Sequence, residues 1–156
     1  SGWIGPLVCA LSYEGLSWFT GAAVMLGGLP STTVLLILLL YSLGAHGIMT
    51  LNDFKAVEGD RATGLRSLPV TMGVRGAALF ACAVMAIAQF AVIGLLLWNN
   101  LMLSAAIVGL FCAVQIGLMA RLVRNPAKLA PWYNATGVSL YVFGMLAAAL
   151  GLGGYI

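Results

Sequence analysis

Five long apolar stretches constrain the fold of this chain more than any other feature of its sequence. A membrane-spanning helix needs about 20 mainly apolar residues, and five segments meet that requirement: about 7–28, 32–51, 77–98, 101–122 and 133–156. Helix-breaking residues separate them, namely residues 27–30, the pair Asn99-Asn100, and Asn125-Pro126 with Pro131. The sequence therefore predicts an all-α membrane protein, a single transmembrane domain over residues 1–156 with five transmembrane helices and no soluble module.

Composition supports a lipid environment. Hydrophobic residues make up 62% of the chain and charged residues only 7%, whereas about a quarter of a soluble domain is charged. The net charge of +3 gives no sign of a nucleic-acid partner. The three cysteines, Cys9, Cys82 and Cys112, lie in apolar runs without metal-ligand spacing, so we interpret them as packing residues.

The cations predict an orientation. All seven lie in or beside two connections, after the second and the fourth apolar stretch: Lys55, Arg61, Arg66, Arg75, Arg121, Arg124 and Lys128. With five spans these two connections face the same side of the membrane, and the positive-inside rule makes that side cytoplasmic. The N-terminus is then cytoplasmic and the C-terminus lies across the membrane.

The first charged connection concentrates acidic side chains. Residues 52–61 hold Asp53, Glu58 and Asp60, three of the four carboxylates in the chain. Asp53 and Asp60 are seven residues apart, so on one continuous helix they would point the same way. Oxygen ligands grouped on one face suit Mg²⁺, which takes one or two carboxylates together with waters and substrate phosphates.

Basic side chains accompany the carboxylates. Lys55, Arg61 and Arg66 are near enough in sequence to contact a phosphate. Acidic and basic groups at the mouth of an apolar bundle suggest a substrate with a diphosphate head and a lipid tail. The alternative is an ordinary solvated loop of mixed charge, and spacing alone does not exclude it.

The same stretch resembles a known family. Asp53 and Asp60 match the first and last aspartates of the second aspartate-rich motif of the UbiA superfamily of intramembrane prenyltransferases. Gly64 and the Ser67-Leu68-Pro69 segment match the residues on the C-terminal side of that motif. Ala56 stands where the family has its middle aspartate, which leaves Glu58 as a weaker candidate ligand. The string Asn-Asp-Phe-Lys-x-x-Glu-Gly-Asp-Arg over residues 52–61 is similar to the chlorophyll and bacteriochlorophyll synthase branch, and so are residues 13–21 and 41–47.

The resemblance implies a fold and a reaction. The family fold is a bundle of nine transmembrane helices, of which this chain would supply the last five. The implied enzyme is a polyprenyltransferase of photosynthesis in the bacterial inner membrane. It transfers a geranylgeranyl or phytyl group from its diphosphate to the propionate of a bacteriochlorophyllide. The implied cofactor is Mg²⁺, held by Asp53 and Asp60 as catalytic residues.

Other readings stay open beside this one. Within the family they are a chlorophyll synthase or a prenyltransferase for haem or a quinone precursor. Outside the family, the alternative is a non-catalytic membrane subunit that binds pigment. The family's first aspartate-rich motif is absent from residues 1–156. We therefore expect the chain to be part of a longer or split protein, to need a partner half that carries that motif, and to be inactive alone.

Four further residues are candidates for a substrate pocket. Glu14 is a carboxylate inside the first apolar stretch, where ionisable groups are costly and often functional; a structural hydrogen bond is the alternative. His46 could ligate a pigment magnesium or could simply be hydrogen-bonded. Tyr41, with Trp18, could line a macrocycle pocket or pack in the core. Asn52 precedes the first aspartate of the motif.

Overall fold

The computed structural model describes residues 2–156 and consists almost entirely of helices. The elements are α1 (Ile4–Ala10), a π-helical segment (Leu11–Gly15), α2 (Leu16–Leu26), α3 (Thr32–Asn52), a 3-10 turn (Asp53–Lys55), α4 (Val57–Thr63), α5 (Leu68–Trp98), α6 (Met102–Leu122) and α7 (Pro126–Leu152). Five helical stretches are long and apolar enough to span a bilayer: Ile4–Leu26, Thr32–Lys55, Leu68–Trp98, Met102–Leu122 and Pro126–Leu152. The prediction of an all-α membrane protein with five spans is confirmed.

Two of the spans begin earlier than the sequence predicted. The third starts at Leu68 rather than near residue 77, but Gly73, with φ 75° and ψ 156°, interrupts it, so the continuous helix begins after Gly73. The last starts at Pro126 rather than near residue 133, so Pro131 lies inside α7 and not in a loop. Proline needs no backbone donor in the first turn of a helix, and transmembrane helices tolerate it further in.

Helices α3, α5, α6 and α7 form the core of the bundle, and the first span packs mainly against α3. Small residues permit the closest approaches, as is usual between membrane helices. A Cβ atom at Gly47 of α3 would meet the backbone carbonyl of Ala81 and the side chain of Met85 on α5. A Cβ at Gly44 would overlap the hydroxyl of Tyr141, which donates a 2.8 Å hydrogen bond to the carbonyl oxygen of Tyr41.

A pair of buried amides joins α5 to α6. Gln89 and Gln115 are both fully buried. Gln115 Nε2 donates to Gln89 Oε1 at 2.9 Å, and Gln89 Nε2 donates to Gln115 Oε1 at 3.3 Å. Each amide therefore satisfies the other in a region where lipid offers no hydrogen-bond partner.

Contacts between the connections define the two ends of the bundle. At one end, Asn134 Nδ2 of α7 donates to Asn52 Oδ1 of α3 at 2.9 Å. The Arg121 guanidinium at the end of α6 lies 4.6 Å from the centre of the Trp132 ring. At the other end, Thr33 Oγ1 lies 3.4 Å from Asn99 Oδ1. The two cation-rich connections are thus at the same end, as the sequence predicted.

Candidate functional site

A pocket of about 460 Å³ opens at the cation-rich end of the bundle. It brings together the start of the first span, the motif stretch and the residues that precede α5. Its lining consists of Gly2, Pro6, Asp53, Asp60, Gly64, Leu65, Arg66 and Ser67. The two aspartates that the sequence singled out therefore share one cavity with a cation and a hydroxyl group.

The two aspartates do not lie on one continuous helix, so that part of the sequence-based reasoning was wrong. Asp53 begins the 3-10 turn that ends α3, whereas Asp60 lies on α4. Between them Ala56 leaves regular α-helical geometry, with φ −104° and ψ −1°. A 3-10 turn is a common way for a long helix to end. The carboxylates converge because the chain turns between them.

The carboxylates of Asp53 and Asp60 repel each other electrostatically. Two partly buried carboxylates at the opening of one pocket favour the binding of a cation that both can contact. No group of three or more His, Cys, Asp or Glu side chains in residues 2–156 is arranged to hold a metal. Two carboxylates could supply part of the coordination of one Mg²⁺, which usually keeps several waters and takes further oxygens from substrate phosphates.

Ser67 adds a hydroxyl group to the pocket. It occupies the N-cap position of α5 but makes no side-chain capping hydrogen bond. Its Oγ is buried and has no hydrogen-bond partner within residues 2–156. Because Pro69 lies two residues further on, one of the backbone donors that an N-cap serine usually engages is missing. The Ser67 hydroxyl is thus left without a partner among the described residues at the edge of the pocket.

The start of the first span closes one side of this pocket. Gly2 forms an isolated parallel bridge with Ser67, and a Cβ at Gly2 would overlap the carbonyl of Arg66. Sequence reasoning did not find Gly2 or Pro6, since nothing in the local pattern places them beside residues about 60 positions away. Only the packing of α1 on α3 reveals their position.

Three other motif residues lie outside the pocket lining. Lys55, Glu58 and Arg61 are exposed, and of the three candidate diphosphate-binding cations only Arg66 lines the cavity. Long exposed cations can still swing towards a bound anion. Glu58, the weaker candidate ligand, is not among the residues that line the pocket.

His46 and Asn52 are both engaged in hydrogen bonds. His46 is buried, and its Nε2 donates to the Trp3 carbonyl oxygen at 3.0 Å. Its Nδ1 lies 3.4 Å from Thr50 Oγ1. With the ring buried and Nε2 bonded to a backbone carbonyl oxygen, the geometry favours the hydrogen-bonding interpretation of His46 over pigment ligation. Asn52 accepts its hydrogen bond from Asn134, a residue that the sequence analysis did not single out.

Glu14 and Tyr41 lie deeper in the bundle than the aspartates. Tyr41 precedes Asn52 by eleven residues on α3, which is roughly 16 Å along the helix axis. Its ring is stacked on Trp18 at 5.9 Å and meets Tyr141 edge-on at 5.3 Å. Glu14 is partly buried in the π-helical segment of the first span, and such segments are frequent at functional sites. The structure does not bring these residues to the aspartate pocket.

Comparisons with known proteins identify the family of the chain. The model of the UbiA prenyltransferase family matches residues 1–141. The chain is 54% identical over 154 residues to the bacteriochlorophyll synthase 33 kDa chain of Cereibacter sphaeroides, covering 99% of this chain and 51% of that protein. It is 47% identical over 159 residues to the protein of the same name from Rhodobacter capsulatus, covering 99% of this chain and 52% of that protein.

A plant relative is more distant. The chloroplastic chlorophyll synthase of Avena sativa is 35% identical over 151 residues, covering 96% of this chain and 39% of that protein. The chain spans about half the length of the bacterial relatives it matches. No solved structure matches it. Since the family model matches residues 1–141 of the 156, the chain belongs to the UbiA prenyltransferase family.

Proposed function

We propose that the protein containing this chain is a bacteriochlorophyll synthase-type prenyltransferase. It esterifies the propionate of a bacteriochlorophyllide with a geranylgeranyl or phytyl group taken from the corresponding diphosphate. The observation that carries this proposal is the shared pocket of Asp53, Asp60, Arg66 and Ser67 at the mouth of an apolar bundle. Sequence identity of 47–54% to bacterial proteins of that name supports this choice of pigment.

The chemistry required of the pocket is release of diphosphate. The bond between C1 of the prenyl group and the diphosphate oxygen breaks, and the diphosphate keeps the electron pair. A propionate oxygen forms the new bond to C1, and because that carboxylate is already ionised no strong protein base is needed. Mg²⁺ held by Asp53 and Asp60 would neutralise charge on the departing diphosphate. Arg66 adds a cationic contact and Ser67 a hydrogen bond to the same group.

The apolar surroundings have two roles in this proposal. They accommodate the prenyl tail, and they keep water from capturing the allylic carbon once diphosphate departs. A second, mainly apolar pocket of about 540 Å³ lies at the far end of the first span, lined in part by Trp18, Met25 and Leu152. Pro6 and Trp18, which line the two pockets, are twelve residues apart, or roughly 18 Å along a helix. Both pockets therefore border the same span.

A direct assay tests the proposed reaction. Membranes containing the protein, expressed with whatever sequence precedes Ser1 in its gene, are supplied with Mg²⁺, geranylgeranyl or phytyl diphosphate, and bacteriochlorophyllide or chlorophyllide. We expect esterified pigment, with bacteriochlorophyllide preferred, detected by chromatography and mass spectrometry. The free prenyl alcohol serves as a control donor, since it lacks the leaving group. Prenylation of haem or of a quinone precursor with no pigment ester would support the alternative members of the family.

The proposed orientation places the pocket on the cytoplasmic side, because all seven cations lie at that end of the bundle. A cysteine at exposed Thr63 should react with an impermeant thiol reagent only when the cytoplasmic face is open. A cysteine at Leu29, which is 85% exposed in the connection at the other end, should react from outside in sealed cells. The opposite pattern of labelling would invert the topology.

A further inference from the structure

Asn134 is a polar side chain of α7 that reaches the end of α3 where the aspartate motif begins. Its Nδ2 donates to Asn52 Oδ1 at 2.9 Å, and Asn52 is the residue directly before Asp53. The two partners are 82 positions apart in sequence. This bond therefore connects the last helix of the chain to the point where α3 gives way to the 3-10 turn.

Packing alone does not account for Asn134. Its Oδ1 is buried and has no hydrogen-bond partner within residues 2–156. Burying a polar atom without a partner destabilises the fold by about as much as one hydrogen bond stabilises it. An apolar side chain at this position would therefore give at least the same stability. The assignment of O and N in the amide follows from the hydrogen-bond network; exchanging them would still leave one polar atom of Asn134 unpartnered. An amide at this position is therefore better explained by the contact it makes with Asn52.

The first turns of α7 are fixed on either side of this residue. Trp132 lies under the Arg121 guanidinium of α6, with 4.6 Å from the guanidinium carbon to the ring centre. Tyr133 is fully buried in the core. Three consecutive residues thus engage α6, the core and α3 in turn. The backbone of α7 at Asn134 is thus anchored through the two residues that precede it.

We propose that Asn134 is a positioning residue for the aspartate site. Through Asn52 it fixes where α3 ends, and so sets the position of Asp53 relative to Asp60 on α4. It acts through Asn52 and does not contact the prenyl diphosphate. The significance of this role for catalysis rests on the proposed function, whereas the mechanical link between α7 and the motif does not.

The mechanical link is measured without any assay of activity. A spin label on a cysteine at exposed Ala56, after removal of the three native cysteines, reports the mobility of the turn between Asp53 and Asp60. In bilayer nanodiscs we expect Asn134→Leu to increase that mobility as much as Asn52→Leu does. Thr136→Val is the matched control, since Thr136 lies two residues further along α7 and bonds only its own helix, at the Trp132 carbonyl. Unchanged mobility in Asn134→Leu would overturn the proposal.

The catalytic consequence is read from a double-mutant cycle in the complete protein. Asn134→Ala should lower kcat/KM about tenfold, which corresponds to about 1.4 kcal/mol, within the range that a single hydrogen bond contributes. In a background that already carries Asn52→Ala, it should have no further effect. Additive losses would show that Asn134 does not act through Asn52 and would overturn the proposal. If the unsubstituted protein forms no pigment ester while the mobility contrast persists, the proposed function fails and the positioning link is supported.

Discussion

Replacing Asp60 by Asn is expected to reduce prenyl transfer by about a hundredfold or more, the scale seen when one electrostatic contribution to a developing charge is removed. The substitution keeps the size of the side chain and removes one of only two carboxylates in the pocket. With a single carboxylate left, Mg²⁺ binds more weakly and the diphosphate departs against less neutralisation. The loss should be largest at limiting Mg²⁺.

Glu58→Gln is the matched control for this variant. It removes the same charge from the same short helix, but at an exposed position outside the pocket lining. We expect it to retain most of the activity. Both variants should appear in the membrane fraction at the unsubstituted level, measured by immunoblot before rates are compared. Equal turnover of the Asp60 variant and the unsubstituted protein across an Mg²⁺ titration would remove Asp60 from the site.

Replacing Gly47 by Leu is expected to abolish stable folding. Gly47 is buried where α3 crosses α5, and even a single Cβ there would meet the Ala81 backbone carbonyl and the Met85 side chain. Backbone cannot move aside as a flexible side chain can. Overpacking of a core typically costs about 1–3 kcal/mol, and here the helices themselves must separate. Because α3 ends at Asn52, their separation would also displace Asp53.

Gly94→Leu provides the comparison. Gly94 lies on α5 as well, but it is exposed and a Cβ there would meet nothing within 4 Å. Leucine is also the better helix former. We expect this variant to elute from size exclusion in detergent as the unsubstituted chain does and to resist heating at least as well. The Gly47 variant should aggregate or be degraded. Comparable thermal resistance in both variants would contradict the tight α3–α5 contact.

The five spans could be predicted from the sequence because lipid imposes a simple requirement, about 20 apolar residues per helix. Their ends were harder to place. The third span was predicted to begin near residue 77, yet Pro69 suits the first turn of a helix and α5 begins at Leu68. Pro131 suggested a break, yet α7 continues through it. In both places the local residue pattern was a poor guide to where the helix begins.

The sequence grouped Asp53 with Asp60, and the structure places both in one pocket, but the pocket is not built from a single helix face as expected. Grouping Asp53 with Asp60 came from their spacing on an assumed helix, whereas the pocket forms because the chain turns at Ala56. Asn134 and Gly2 could not be found from the sequence, because their partners lie 82 and 65 positions away. The periodicity of apolar residues in the sequence identifies which residues share one face of a helix. It does not identify which distant residues contact that face.

The paired amides of Gln89 and Gln115 bear on how the chain enters the membrane. Each helix, inserted alone, would carry an amide group into hydrocarbon with its hydrogen-bonding capacity largely unmet, at a cost of several kcal/mol by the usual order of magnitude. Inserted together, the two amides satisfy each other. Only a short connection around Asn99 and Asn100 separates α5 from α6. The energetically favoured order of biogenesis is therefore for α5 to wait beside the translocon until α6 has been synthesised, and for both to pass into lipid as one hairpin.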